Sequence, residues 1–305
     1  PTIKDQFILL SLIQHNDRNQ TDETVIICKT TTQPTLSHPM SRRSATNLLK
    51  KVYVRIQRTY HRWIVHDYID EVDLLFKTFC SAWTPGVMYD VGAHQGSSLK
   101  AFAKAGWRVE AFEPDRNNIK QLKHIAARFN SIHLHPLALG AEDRDSVDFY
   151  TSCESSGVSG LSPFLQSHQR SETVPLLTIK SFTETEDAPC PDFLKIDTEG
   201  HDLFVLQGYP WELKAPRFLI CEFEDAKSTV LGYNFNQICA YLKRLGYSLV
   251  ISEWYPIKKY GVLHKWKGFH TNEAAQLDSG AWGNIIAFKS PDDYKNAKGQ
   301  WHINN

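Results

Sequence analysis

The chain has 305 residues, 42% of them apolar and 22% charged, a composition that supports a packed core and excludes a mostly disordered chain. Its 34 Lys and Arg balance its 34 Asp and Glu, so no whole-molecule field exists to attract nucleic acid. At roughly 150 residues per domain, the length allows about two domains.

Six cysteines (Cys28, Cys80, Cys153, Cys190, Cys221, Cys239) include no CxxC pair, which fits reduced thiols in the cytoplasm better than a zinc site or a disulfide framework. The apolar run Phe7–Ile13 is too short to span a membrane, and no cleavage site follows it. Residues 1–46 are rich in Thr, Ser, Asn and Gln and read as a flexible leader, with Val25-Ile26-Ile27 as its one short strand. From Asn47 the pattern changes. Leu49, Val52, Tyr53, Ile56, Tyr60 and Ile64 recur at helical spacing, and the stripe resumes through Ile69, Val72, Leu75 and Phe79. Residues 47–84 are therefore expected as an N-terminal helical extension. Across residues 41–64 it carries Arg42, Arg43, Lys50, Lys51, Arg55, Arg58 and Arg62 without one acid. Such a face either docks on an anionic membrane or a partner, or is a solvated face of a helix packed on the main domain.

Beyond Pro85 short β-type runs alternate with helical stretches. Val87–Val91, Arg108–Phe112 and Ser131–His135 read as strands, separated by helices over Ser97–Ala105 and Asn117–Phe129. A hairpin is expected from Ser146–Tyr150 and Thr173–Thr178, with the Ser/Gly loop Ser155–Ser162 between them. Strands follow at Phe193–Asp197, Phe218–Phe223, Ser248–Ser252 and Asn284–Phe288, with helices at His201–Gln207 and Phe235–Leu245. This alternation predicts a parallel sheet covered by helices on both faces over residues 85–290, leaving 291–305 as a C-terminal tail. Ligands of such sheets bind at the carboxyl ends of the strands, where strand order reverses.

The suggestive residues all fall at those ends. The first strand runs into Asp90-Val91-Gly92-Ala93-His94-Gln95-Gly96, and its two glycines let a turn pass close beneath a ligand. The spacing is neither the GxGxxG of dinucleotide binders nor a phosphate-binding loop, which disfavours a nicotinamide-dependent oxidoreductase. The second strand ends in Phe112-Glu113-Pro114, and an acid at that tip is placed to accept both hydroxyls of a ribose. The strand Phe193–Asp197 puts Lys195 and Asp197 on one face, and Lys195 needs partners there, with Asp90 and Asp197 the natural ones.

Together with Leu194-Lys195-Ile196-Asp197-Thr198-Glu199-Gly200, these motifs resemble the FkbM family of S-adenosylmethionine-dependent methyltransferases over residues 86–252. The resemblance implies a Rossmann-like class I methyltransferase fold, a seven-stranded, mostly parallel sheet with an antiparallel last strand at Asn284–Phe288. It implies O-methylation of a hydroxyl, of a sugar or a glycosylated metabolite. It places Asp90, Gly92, Ala93 and Gly96 around the methionine part of S-adenosyl-L-methionine, with Glu113 and Pro114 at its ribose. Ala138-Leu139-Gly140 falls at the adenine, and Asp197 is shared between cofactor and chemistry. The family's acid after Gly200 is kept at Asp202, beside the unusual His201.

An alcohol is a weak nucleophile, so a base near the methyl is needed, and Asp197, Glu199, His201 and Glu222, with Glu224 beside it, are the candidates. Direct base catalysis without a metal is preferred over a cation held by these carboxylates, because they form no recognisable metal motif. Metal-assisted methylation of a small phenol or polyketide and an inactive cofactor-binding partner module are the alternatives. The aromatic tail, with Trp254, Tyr255, Tyr260, Trp266, Trp282 and Trp301, is either a core lid or a wall for a sugar ring, with Glu253, His264 and His270 bonding its hydroxyls.

Overall fold

The structure is a computed structural model that describes residues 52–304 apart from 55, 154–155, 260–261 and 272–276. The leader 1–46 and, of the basic stretch, Arg42, Arg43, Lys50, Lys51 and Arg55 lie outside the described residues, as does Tyr260. Runs rich in Val, Ile, Leu and Phe favour extended backbone and form β1 (Val87–Val91), β2 (Arg108–Phe112) and β3 (Ile132–His135). Strand β4 (Ala138–Leu139) joins the antiparallel pair β5 (Arg144–Ser152) and β6 (His168–Leu177) in a separate three-stranded sheet. The main sheet resumes with β7 (Phe193–Ile196), β8 (Phe218–Glu224) and β9 (Ser248–Trp254). It ends with β10 (Trp266–Thr271), β11 (Trp282–Phe288) and β12 (Ile303–Asn304).

Among the described residues its nine strands take the order β12-β10-β9-β11-β8-β7-β1-β2-β3. The five from β3 to β8 are parallel, and β11 enters antiparallel between β8 and β9. This contains the expected Rossmann-like seven-stranded sheet with its antiparallel strand. Two strands widen it: β10 lies antiparallel to β9, and β12 parallel to β10. The segment expected as a tail is thus built into the fold. Ser290 caps a helix at Pro291–Gln300, and Trp301 then stacks on Phe269 with ring centroids 5.2 Å apart.

Helices cover both faces. On one, Leu203, Val205, Ile238 and Leu242 pack against Val91, Leu194 and Ile196. On the other, Phe102 and Leu122 join Leu75 and Phe79 of the N-terminal extension over Met88 and Phe193. Burying a side chain of this size contributes roughly 1.5–3 kcal/mol. The extension is not one helix. Helical turns over 52–54, 56–60 and His61–Val65 stop at His66, whose φ of 60° is left-handed. Asp70 restarts the helix at Glu71–Leu75 by accepting the Asp73 N–H, and a π-helical turn, Phe76–Cys80, follows. Glu71 ties this segment to the sheet, its Oε1 accepting from Ser252 Oγ, Trp254 Nε1 and Asn284 Nδ2 at 2.7, 2.8 and 3.1 Å. Among the described residues no helix is long and apolar enough to cross a membrane.

Candidate active site

Strand order reverses between β1 and β7, and their carboxyl ends open into the crevice that this reversal creates. The loop after β1 is folded tightly over the tip of β2. Gly92 N–H and Ala93 N–H both donate to Phe112 O at 3.0 Å, and His94 N–H donates to Glu113 Oε2 at 2.7 Å. Asp115 N–H takes the other oxygen, Oε1, at 2.8 Å. The glycine turn and the acid are therefore in direct contact. His94 accomplishes this in left-handed backbone, φ 48°, a conformation that non-glycine residues adopt sparingly.

A cavity of about 360 Å³ opens over this contact, within the range of small-ligand sites. Gly92, Glu113 and Pro114 line its middle, and the apolar side chains of Phe112, Leu137, Leu139 and Phe149 line one end beside Ala138. Asp197, Thr198 and Glu199 line the other. Glu113 is 4% exposed, and burial pushes its carboxyl up to about 7 against the pull of its two backbone N–H bonds. Each of its oxygens accepts one backbone N–H, Asn118 adds a side-chain hydrogen bond, and acceptor capacity remains for a ligand hydroxyl. Apolar walls for a flat base and a carboxylate for a diol fit an adenosine, while the absent Cβ of Gly92 faces the backbone of Asp197.

The Ser/Gly loop closes over this cavity. Ser156 Oγ lies 2.9 Å from His94 Nε2, Asn118 Nδ2 donates to Ser156 O at 3.3 Å, and Ser159 Oγ donates to Asp115 Oδ2 at 3.3 Å. Its far end is pinned by the bridge between Tyr150 and Gly160.

A second cavity, of about 300 Å³, adjoins the first, and Arg58, Gly92, His94, Asp197 and Trp282 line both. Tyr68, Trp254 and Trp282 give it aromatic faces, and Glu71, His264 and Asn284 give it polar edges. The aromatic tail thus divides between two roles. Trp254 and Trp282, with ring centroids 5.3 Å apart, border the cavity, while Trp301 and Trp266 pack into the core. Glu253 and His270 are not at the cavity. Glu253 is buried and bound to Lys267 at 2.9 Å and His270 at 3.1 Å, because successive residues of β9 alternate faces and only Trp254 turns toward the crevice.

Strand β7 aligns Lys195 with Asp90 of β1. Lys195 Nζ reaches Asp90 Oδ1 at 3.0 Å, Asp197 Oδ2 at 3.5 Å and Gly92 O at 3.0 Å, which is the predicted pairing. Ser98 Oγ donates to the other Asp90 oxygen. Asp90 is fully buried and lines neither cavity, so it anchors the loop from beneath instead of surrounding the methionine part. Gly96 is also away from both cavities, since a Cβ there would stand 2.8 Å from Leu122 Cδ2 and the position packs against the helix Arg116–Ala126. Ala93 lines the second cavity, whereas Pro114 and Ala138 line the first.

Of the candidate bases, Asp197 and Glu199 reach the cavity wall, and the Asp197 side chain is 42% exposed. Glu222 and His201 reach neither cavity. His201 turns toward Ser162, 3.4 Å away, and burial lowers its imidazole to about 4, which leaves it neutral. Glu222 belongs to a cluster that sequence reasoning missed, centred on Lys227. The buried Lys227 Nζ stands 2.6 Å from Glu199 Oε2, 3.2 Å from Glu222 Oε2 and 2.6 Å from Glu224 Oε2. Burial alone would lower this ammonium, but the three carboxylates more than offset it and hold it well above its usual range. One ammonium cannot neutralise three carboxylates. Burial pushes Glu199 up to about 7 and Glu222 well above the carboxylate range, so the cluster retains a proton at neutral pH. Single oxygens of Asp197, Glu199 and Glu222 lie within 4.8 Å of one another, a spacing a divalent cation would need, but Lys227 already supplies positive charge to two of them.

The chain is 27% identical over 167 residues to a hexuronic acid methyltransferase, AglP, of Haloferax volcanii, a match covering 55% of this chain and 68% of that protein. Among solved structures it resembles a precorrin-6y C5,15-methyltransferase of Geobacter metallireducens (14% identity, TM-score 0.39, covering 72% of this chain and 87% of that one). It also resembles an S-adenosylmethionine-dependent methyltransferase of Agrobacterium tumefaciens (10% identity, TM-score 0.40, 72% and 61%). The profile of the FkbM methyltransferase domain matches residues 90–249, which hold the glycine loop, Glu113, the Asp197–Gly200 turn and the Lys227 cluster. With that segment spanning more than half of its length, the chain belongs to the FkbM methyltransferase family.

Proposed function

We propose that the protein transfers the methyl group of S-adenosylmethionine to a hydroxyl oxygen of a sugar. The observation that carries this reading is the direct contact between the Gly92–His94 turn and Glu113 beneath a cavity that meets a second, aromatic one at Asp197. Glu113 would hold the ribose diol, the Gly92 loop the amino-acid portion, and Leu137, Leu139 and Phe149 the base. When bound, the cofactor supplies a methyl group on a positively charged sulfur.

The residues of the chain have three tasks. Trp254, Trp282 and Tyr68 offer flat faces to a sugar ring and exclude water from around the acceptor oxygen. In-line displacement depends on alignment, so these walls contribute by holding one hydroxyl toward the shared mouth of the two cavities. Asp197 stands at that mouth and takes the hydroxyl proton as the new bond forms, while Lys195 holds it in place. The proton-holding cluster around Lys227 lies next to it through Glu199. The hexuronic acid methyltransferase of Haloferax volcanii supports a sugar as acceptor.

Incubating the purified protein with methyl-labelled S-adenosylmethionine and a carbohydrate extract tests this. Label should enter the sugar fraction and survive mild alkali, as a methyl ether does. Label released by alkali would assign a carboxyl oxygen instead of a hydroxyl, and no transfer to sugars would reject the reading.

A further inference from the structure

Among the described residues, four cationic or titratable basic side chains line the two cavities, and they are not alike. Lys195 is spent on Asp90 and Asp197. Burial lowers both His94 and His264, which disfavours their charged forms. Arg58 remains. It lines both cavities, its Cζ rests 5.7 Å over the Tyr68 ring, and no carboxylate among the described residues pairs with it. An arginine held over an aromatic face keeps its planar donors available, and those donors match a carboxylate two at a time.

Resting on the methyltransferase reading above, we propose that Arg58 binds a carboxylate on the acceptor, so that the substrate is an acidic sugar, a uronate. Two sources of carboxylate exist at this mouth, the acceptor and the amino-acid tail of the cofactor. The acceptor is favoured by where the neighbours come from. The cofactor is common to the family, and the residues placed around it, from Gly92 to Asp197, fall within the shared segment 90–249. Arg58, Tyr68, His264 and Trp282 fall outside that segment and together line the second, aromatic cavity. A neutral sugar would leave the guanidinium without a carboxylate partner at the mouth of the cavities. A uronate matches it while a ring hydroxyl remains free for Asp197.

The test compares wild type, Arg58→Gln and Arg58→Lys on paired acceptors, methyl glucuronide against methyl glucoside and methyl galacturonide against methyl galactoside. S-adenosylhomocysteine affinity is measured on each protein in parallel. Wild type should prefer the uronates by roughly 10–100-fold in kcat/KM, the value of a charged hydrogen bond. Arg58→Gln should abolish that preference, Arg58→Lys should restore part of it, and all three proteins should bind S-adenosylhomocysteine within about 3-fold of each other. Equal use of both members of each pair by wild type, or a preference that survives Arg58→Gln, overturns the proposal and leaves the sugar reading standing. A parallel loss of S-adenosylhomocysteine affinity in Arg58→Gln also overturns it, and assigns Arg58 to the cofactor's tail. Transfer to none of the four glycosides, with S-adenosylhomocysteine still bound, rejects the sugar acceptor and this proposal together. Arg58 is exposed, so the variants are expected to fold, and their melting temperatures check this.

Discussion

A Cβ at position 92 would stand 1.8 Å from the carbonyl oxygen of Asp197, so the loops after β1 and β7 approach to a distance that only glycine permits. The backbone at Gly92 is also left-handed, with φ 76°. This one approach aligns the floor of the first cavity with the carboxylate at the shared mouth. Gly92→Ala has to separate the two loops. It should lower stability by about 2–4 kcal/mol and S-adenosylhomocysteine affinity by at least about 10-fold. Thermal melting and calorimetry check both, and a variant that binds as wild type does would show that the loops are free to move apart.

Asp202 makes stability depend on pH. Burial, then the charge of Asp197, pushes its carboxyl from the ordinary 3.8 up to about 7. The folded state therefore keeps a proton that the unfolded chain releases. The stability this carries is full below about pH 4 and is lost as pH rises through about 7. Asp202→Asn removes the ionisation, so at pH 8 it should be more stable than wild type by about 2–4 kcal/mol, with little difference at pH 4. Urea denaturation of both proteins at the two pH values measures it, and equal curves at pH 8 would show that Asp202 ionises freely.

Lys227 holds three carboxylates together. Lys227→Met leaves them buried without their cation and should cost about 3–5 kcal/mol at pH 8, part of which Glu222→Gln in the same chain should restore. Denaturant midpoints of the single and double variants decide this. Additive losses would show that Lys227 and Glu222 act independently.

The same ammonium bears on metal dependence. With Lys227 set against Glu199 and Glu222, the acid cluster has its own cation. Methyl transfer should continue within about 2-fold after EDTA treatment. Loss of transfer on chelation and its return with magnesium would place a metal at Asp197, Glu199 and Glu222 and support metal-assisted methylation.

The parallel strands were legible because their signal is local. Val87–Val91 runs into Gly92 and Arg108–Phe112 into Glu113-Pro114, and the structure matches both bounds. The pairing of Lys195 with Asp90 and Asp197 was also readable, since a lysine between Leu194 and Ile196 has to find a partner. Long-range pairing left weaker marks. Strand β10 alternates poorly and contains Gly268, and the two residues of β12 become a strand only because Trp301 anchors them beside β10. Asp90 and Gly96 carry the motif but serve the loop from below, which spacing cannot distinguish from lining a cavity. Lys227 follows β8 by three residues with no motif around it. Its one sequence signal was the unbalanced run Glu222-Phe223-Glu224-Asp225, which asks for a nearby cation. Arg58 was one of seven basic residues on its stretch, and only the break at His66 selects it by turning the extension back over the sheet edge.

The most direct measurement is calorimetric titration of S-adenosylhomocysteine into wild type and Glu113→Ala, with NAD titrated in parallel. Wild type should bind S-adenosylhomocysteine and not NAD, and Glu113→Ala should bind it roughly 10–100-fold more weakly, as expected when a buried hydrogen-bonding group loses its partner. Unchanged affinity in Glu113→Ala, or NAD binding in place of S-adenosylhomocysteine, would contradict the assignment of the cavity above Gly92 and Glu113.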